Sequence, residues 1–109
     1  MSIVNLNEME EREMFPGLHV KFVHTDNMTM AYWRIEKGAS IPSHSHHHEQ
    51  VVNVIEGEFE LVLDNEETIS LTPGKVLLID PNVPHSGTAI NDCRIIDVFH
   101  PARKDYIFK

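Results

Sequence analysis

Closely spaced turn signals divide the chain into short segments, and this spacing restricts its fold more than any other feature. Turn-forming pairs and triplets recur roughly every eight to twelve residues. They are Asp26-Asn27, Lys37-Gly38, Glu56-Gly57, Asp64-Asn65-Glu66, Pro73-Gly74 and Asp80-Pro81-Asn82. The segments between them are rich in β-branched and aromatic residues, and none has a convincing amphipathic helical period. This pattern is typical of an antiparallel sandwich or barrel.

The segments between the turns are predicted to be strands of an all-β domain. We predict strands over residues 19–25, 28–36, 43–48, 50–55, 58–63, 67–71, 75–79, 85–89 and 93–100. In segment 58–63, Phe59, Leu61 and Leu63 share one face, whereas segment 75–79 is an apolar run typical of a buried strand. Residues 8–14 are compatible with a helix, so a short N-terminal arm or helix is expected to precede the strands. The length predicts a single domain over residues 1–109.

The charge balance restricts the partners of the chain. Nine Lys and Arg residues face seventeen Asp and Glu residues, which gives a formal charge of -8. We therefore expect neither a nucleic acid nor an anionic membrane as the main partner. An anionic small molecule remains compatible, because one local cation can dominate a pocket. A core this small would gain from association, so we expect a homodimer.

The location is predicted from cysteine usage and from the N-terminus. Cys93 is the only cysteine, so no intrachain disulfide can form, and we expect this thiol to be inert. The first fourteen residues are acidic and lack the apolar stretch of a signal peptide. We therefore expect a cytoplasmic protein.

An internal cluster of histidines is the strongest chemical signal. Four of the eight histidines lie at 44, 46, 47 and 48. On an extended segment, positions 44, 46, 48 and 50 share one face, so the imidazoles of His44 and His46 can hold one ion. Gln50 can add an amide oxygen. His85 follows a turn bounded by prolines, 81–84, which would return the chain to the same end of a barrel.

We therefore predict a metal site with His44, His46, Gln50 and His85 as ligands. His48 shares their face and is the alternative fourth ligand. Three imidazoles and one oxygen suit one divalent ion of the first transition row, namely Fe, Ni, Mn, Co or Zn.

A carboxylate in the last strand is a candidate catalytic group. Ile95, Asp97 and Phe99 share a strand face. If that face lines the interior, Asp97 is a carboxylate in an apolar wall, which is costly unless the group is paired or used. The alternative is a structural carboxylate paired with Arg34 or Arg94.

An arginine just beyond the last strand is a candidate for binding a substrate. Arg103 follows Pro101 and could bind a substrate carboxylate in a fork; the alternative is a surface charge beside Lys104. Tyr32 and Trp33 lie on opposite faces of one strand. One of the two is expected to line the cavity, and strand parity does not decide which.

Two motifs resemble those of the cupins. Gly38, His44, His46, Gln50 and Gly57 are similar to the first cupin motif, over residues 38–57, with Gln50 in place of the usual Glu. Gly74, Pro81 and His85 resemble the second motif, over residues 74–85. The resemblance implies a double-stranded β-helix, or jelly-roll barrel, with a metal ion near one mouth.

A narrower resemblance concerns activity. Segments 44–52 and 97–106 are similar to those of the pectin-degradation cupins, which linearise 4,5-unsaturated uronates. The resemblance implies a metal-dependent enzyme that opens these monosaccharides, released from pectin or alginate, to the linear keto form. It places the catalytic Asp at Asp97, a substrate-binding Phe at Phe99 and a catalytic and substrate-binding Arg at Arg103. The alternatives are an iron-dependent cupin dioxygenase and a non-catalytic cupin that binds a sugar or metabolite.

Overall fold

Ten β-strands are present in the part of the chain described by a computed structural model, residues 1–64 and 66–108. In chain order they are β1 (Arg12–Phe15), β2 (Leu18–His24), β3 (Thr29–Ile35), β4 (Ser40–His44), β5 (Glu49–Glu56), β6 (Phe59–Leu63), β7 (Glu67–Leu71), β8 (Val76–Ile79), β9 (His85–Ala89) and β10 (Cys93–His100). Two short 3₁₀ turns, Leu6–Glu8 and Lys104–Tyr106, precede and follow them. Among the described residues, no helix is long and apolar enough to cross a membrane.

The strands form two antiparallel sheets. The larger sheet has the order β1-β2-β3-β10-β5-β8, and the smaller has the order β4-β9-β6-β7. Neighbours such as β3 and β10 are far apart in sequence, so the chain repeatedly crosses from one sheet to the other. This arrangement is the jelly roll, and the predicted all-β fold class is confirmed.

The core lies between the two sheets and follows from strand alternation. Along β3, residues 29, 31, 33 and 35 are buried while those between them are partly exposed. Along β10, residues 93, 95, 97 and 99 are buried in the same way. Side chains of both sheets therefore meet in one apolar layer, whose members include Leu18, Val20, Val54, Phe59, Leu61 and Ile95.

The structure corrects three local expectations. Residues 8–14 do not form a helix; the segment has a 3₁₀ turn followed by β1, which pairs with β2 at the sheet edge. Strand β4 ends at His44, so the predicted strand over 43–48 is instead a strand end and a loop. Strand β8 is an edge strand rather than a buried one, since Val76 and Leu78 are 53% and 69% exposed.

Candidate metal centre

Three histidines meet at one end of the jelly roll because the two sheets converge there. His44 ends β4 and lies directly opposite His85, the first residue of β9. His46 lies in the loop between β4 and β5, and Gln50 lies at the start of β5 in the other sheet. The ring centroids of His44 and His85 are 4.3 Å apart, and those of His46 and His85 are 5.1 Å apart. One ligand nitrogen from each ring lies within 4.8 Å of the others.

The second nitrogen of each ring is occupied by the backbone. His44 Nδ1 donates to the carbonyl of Pro42 at 2.9 Å, and His85 Nδ1 donates to that of Val83 at 2.9 Å. His46 Nδ1 donates to the carbonyl of His48 at 3.1 Å. A carbonyl only accepts, so these bonds place the proton on Nδ1 and leave the lone pair of each neutral ring on Nε2. Fixing the tautomer and the ring orientation in this way is what metal-binding histidines require.

The distances between the donor atoms fit a metal ion. His46 Nε2 and Gln50 Oε1 are 3.0 Å apart, and in the neutral ring both atoms are acceptors. Two ligands at right angles on an ion, each about 2.1 Å from it, lie about 3 Å apart. His85 Nε2 is buried and has no hydrogen-bond partner among the described residues. Three imidazole nitrogens and an amide oxygen therefore form a site that could hold one divalent ion.

Burial keeps two of these rings neutral. Desolvation lowers the pKa of His85 to about 4, against the raising effect of its bond to Val83. Desolvation also lowers the pKa of His46, and the Arg103 charge adds to that effect. Near neutral pH the nitrogens of His46 and His85 thus present lone pairs rather than protons.

The neighbouring histidines are arranged differently. His48 is 5% exposed, but among the described residues it is not part of the group of three histidines whose nitrogens converge. Its ring centroid lies 5.4 Å from that of His46. This arrangement therefore does not favour His48 as the fourth ligand. His47 and Glu49 are exposed, as expected for side chains that face away.

Asp97 lies in the wall of the same cavity. The indole nitrogen of Trp33 donates to Asp97 Oδ2 at 3.1 Å, while Oδ1 is buried and has no partner among the described residues. Burial raises the pKa of Asp97 to about 7, although the Gln50 amide, the Trp33 indole and the Arg103 charge oppose this rise. The carboxyl can therefore exchange a proton near neutral pH.

The expected alternative partners of Asp97 lie elsewhere. Arg34 donates to Glu11 at 2.8 Å, and Arg94 lies 3.9 Å from Glu56. The open question of Tyr32 and Trp33 is also answered, since Trp33 is 7% exposed and lines the cavity.

Arg103 is buried rather than a surface charge. It is 5% exposed, and its guanidinium carbon lies 4.8 Å from the centre of the Phe99 ring and 4.0 Å from that of Tyr106. Its backbone N–H donates to Thr29 Oγ1 at 2.8 Å. Arg103 and Phe99 line the same cavity as Asp97 and three of the candidate ligands, His44, Gln50 and His85. His46 adjoins this cavity through its contact with His85.

Two contacts of Arg103 were missed by the sequence analysis. Asp105 accepts two hydrogen bonds from the guanidinium, and the Tyr106 ring packs against it. An acidic residue two positions after an arginine is a weak signal, and it becomes informative only once the arginine is known to be buried.

A second group of titratable residues lies on the surface. His19 Nε2 is 2.9 Å from Glu36 Oε2 and 3.5 Å from Glu13 Oε2. Both carboxylates are more than half exposed, and ion pairs of this kind are common on surfaces without a ligand.

Comparison with known proteins places this architecture in a family. The cupin domain family matches residues 31–99, which include all four candidate ligands. The chain belongs to the cupin family. This cupin is also similar in structure to KdgF from a Halomonas species, with a TM-score of 0.91 and 28% identity over 98% of this chain and 99% of that one. A RmlC-like cupin from Shewanella frigidimarina gives a TM-score of 0.90 at 28% identity.

Two relatives of this cupin carry functional names. The pectin degradation protein KdgF of Dickeya dadantii is 29% identical over 104 residues, which cover 93% of this chain and 94% of that protein. A Bacillus subtilis protein named H2HPP isomerase is 28% identical over 103 residues. The match spans 42% of the Bacillus protein, so it concerns only part of that relative.

Proposed function

We propose that this cupin is a metal-dependent enzyme that opens 4,5-unsaturated uronate monosaccharides, from pectin or alginate breakdown, to the linear keto form. The observation that carries the proposal is the meeting of three chemistries in one cavity. These are a donor set for a divalent ion, a carboxyl with a free oxygen and a buried guanidinium. The similarity to two proteins named KdgF supports it.

The metal would be held by His44, His46, His85 and Gln50. A divalent ion bound there supplies a Lewis acid that withdraws electron density from substrate oxygens. The donor set suits Fe, Ni, Mn, Co or Zn.

Arg103 would bind the substrate carboxylate. Its guanidinium carbon lies 4.8 Å from the centre of the Phe99 ring and 4.0 Å from that of Tyr106, and Nη1 is buried without a partner among the described residues. A carboxylate is a planar acceptor that matches the fork of a guanidinium. Phe99 would pack against the sugar ring and exclude water from the site. An uncharged sugar would leave Nη1 of this buried cation without a partner, so the site favours uronates.

Asp97 would move the protons of the reaction. Its carboxylate accepts the proton of the hemiacetal hydroxyl at C1, and the C1–O5 bond breaks to give an aldehyde and an enolate at C5. The same carboxyl then returns a proton to C4, and the enolate becomes a ketone. The product is an isomer of the substrate, so neither water nor an oxidant is consumed. A carboxyl with a pKa of about 7 suits both proton transfers.

Substitution of Asp97 tests the proposal. Metal-loaded protein is incubated with 4,5-unsaturated galacturonate, and loss of the ring alkene signal is followed by proton NMR. We expect the wild-type chain to accelerate this loss over the spontaneous rate. Asp97→Asn should lower the rate by at least about 100-fold, because an amide cannot carry the proton.

The matched control is Asp80→Asn, which changes an exposed carboxylate in the turn after β8. This variant should keep wild-type turnover, and all three proteins should bind the same amount of metal. Full turnover by Asp97→Asn would exclude Asp97 from the mechanism. Oxygen consumption would favour the dioxygenase alternative, and binding of the sugar without turnover would favour the non-catalytic alternative.

We also infer that this cupin forms a homodimer through the outer face of its larger sheet. Met30, Val98, Val51 and Leu78 are register partners on β3, β10, β5 and β8, so they form an apolar row across four strands. Val76, two residues before Leu78 on β8, and Ile55 on β5 are also apolar and are 53% and 44% exposed. A second copy related by a two-fold axis would present the same row and bury both.

The mass of the protein in solution tests the dimer. We expect light scattering to give twice the chain mass for the wild type and a single chain mass for Leu78→Lys. Ile90→Lys, which places the same charge at an exposed residue outside the row, should remain a dimer. A wild-type protein with the mass of one chain at micromolar concentration would exclude the dimer.

A further inference from the structure

The guanidinium of Arg103 is shared between Asp105 and the cavity. Arg103 Nε donates to Asp105 Oδ1 at 3.0 Å, and Nη2 donates to Oδ2 at 2.8 Å. This fork uses one edge of the planar group. Nη1 and the second hydrogen of Nη2 form the other edge, and Nη1 is buried without a partner among the described residues. One edge is thus fixed by the protein, and the other can accept one further planar anion.

The orientation of this free edge depends on how the arginine is held. The rings of Phe99 and Tyr106, which are inclined at 76° to each other, both contact the guanidinium. Contact with an aromatic ring does not by itself decide which edge of the guanidinium faces outward. The two hydrogen bonds to Asp105 do decide it, because they hold the opposite edge.

The backbone of the same segment is anchored separately. Arg103 N–H donates to Thr29 Oγ1, and Thr29 Oγ1 lies 2.8 Å from His24 Nδ1. His24 Nε2 donates to the carbonyl of Tyr106 at 3.1 Å. The backbone around Arg103 therefore stays in place when Asp105 is changed, and the effect of a substitution falls on the side chain.

We propose that Asp105 is a positioning residue that turns the free edge of Arg103 toward the substrate carboxylate. This inference rests on the proposed function, since it concerns how the same site takes a uronate. It predicts the direction in which substrate binding changes when the charge of Asp105 is removed. A negative charge on the rim of the cavity repels an anionic substrate, so removal of a charge acting only through electrostatics would improve binding. A positioning role predicts that the same removal weakens binding.

Asp105→Asn tests this prediction. The variant removes the charge and retains one acceptor atom, so the guanidinium keeps one of its two bonds. We expect KM for 4,5-unsaturated galacturonate to rise about tenfold while kcat changes less than about twofold, because the clamp orients the substrate and Asp97 carries the protons. The dissociation constant of D-galacturonate, a saturated uronate that cannot react, should rise by a similar factor in an NMR titration.

Two further variants separate the effect of where the Asp105 carboxylate lies from the effect of its negative charge. Asp26→Asn removes an exposed carboxylate that lines the same outer hollow as Asp105 and Arg103, and it should leave both constants unchanged or slightly lower. Asp105→Glu keeps the charge but moves the carboxylate by one methylene, and it should raise both constants. The Asp105 side chain is 57% exposed, so both variants at this position should fold, which unchanged thermal unfolding would verify.

The outcomes distinguish this inference from the proposed function. Turnover by the wild type with unchanged or improved binding by Asp105→Asn would overturn the positioning role and leave the function intact. No turnover, with galacturonate bound about tenfold more weakly by Asp105→Asn and Asp105→Glu only, would overturn the function and support the positioning role. No binding of galacturonate by the wild type would overturn the role of Asp105.

Discussion

Asp97 carries a cost in stability that the surrounding residues reduce only in part. Its Oδ2 accepts the Trp33 indole N–H, but Oδ1 has no donor among the described residues. Burial therefore raises the pKa of Asp97 to about 7 from its ordinary value near 3.8. A buried carboxyl of this kind destabilises the fold, and the proposed proton transfer gives it a functional reason.

The pH dependence of stability reports this cost. Because the pKa of Asp97 is higher in the folded chain, the unfolded chain loses its proton first as the pH rises. The stability contributed by the residue is thus intact below about pH 4 and is lost by about pH 7. The quantity to follow is the free energy of unfolding of Asp97→Asn minus that of the wild type, both in metal-free protein. We expect this difference to increase by about 2–3 kcal/mol from pH 5 to pH 8.

Urea unfolding at the two pH values measures this difference. Subtraction of the wild-type value removes the opposite contribution of His85, whose pKa is lowered to about 4 and which both proteins retain. Asp80→Asn should show no such dependence on pH. Equal differences at pH 5 and pH 8 for Asp97→Asn would show that the carboxyl is solvated in the folded chain.

The residues of the site differ in how well the sequence predicted their positions. Asp97 and Phe99 share the buried face of β10, as strand alternation predicted. Arg103 lies beyond the end of β10, where strand alternation no longer predicts which side chains are buried. Its burial depends on contacts with Thr29, Asp105 and Tyr106 that only the folded chain provides. The choice between Trp33 and Tyr32 likewise required knowledge of which sheet face meets the core.

At the scale of elements, the histidine loop keeps a strand-like alternation without being a strand. Positions 44, 46, 48 and 50 are buried or partly buried, while 45, 47 and 49 are exposed. The parity argument therefore predicted the correct faces, although β4 ends at His44. The candidate ligands converge because His44 pairs with His85 across β4 and β9, while the loop that holds His46 leads to Gln50, from the smaller sheet toward the larger one.

Strand β9 depends on a residue without a side chain. Gly87 lies two residues after His85, between Ile41 of β4 and Leu61 of β6. A Cβ at position 87 would collide with the ring of Phe59, which lines the cavity. Phe59 must therefore move if any larger residue replaces this glycine.

Gly87→Ala tests that constraint. We expect a loss of about 1–3 kcal/mol of unfolding free energy, because a well-packed aromatic ring is displaced. Gly38→Ala is the control: a Cβ at Gly38 meets no atom within 4 Å, so only its backbone φ of +84° opposes the change. Thermal or urea unfolding should give the larger loss for Gly87→Ala, and the reverse order would contradict the packing described for Phe59.

At the scale of the whole molecule, the sequence predicted where the strands lie along the chain better than which strands pair in the sheets. Eight of the predicted segments correspond closely to strands, because turn signals and alternation are local properties. The pairing of β10 with both β3 and β5 is not local, and neither is the position of β8 at a sheet edge. The apolar run of β8 predicts a buried strand, because composition alone does not distinguish an exposed apolar face from a core.

The jelly roll explains how ligands from positions 44 to 85 reach one point. Two sheets close around the apolar core, and their ends bring β4, β5 and β9 together at one mouth of the cavity. Asp97, the proposed proton-transfer group, and Arg103, the proposed carboxylate clamp, reach the same cavity from β10 and the segment that follows it. The central claim is that one cation is held by His44, His46, Gln50 and His85.

Anomalous diffraction from crystals soaked in a nickel or iron(II) salt tests this claim most directly. We expect one strong peak about 2.0–2.3 Å from Nε2 of His44, His46 and His85 and from Oε1 of Gln50. Absence of a peak between these atoms, or a peak only at the surface group of Glu13, His19 and Glu36, would contradict it.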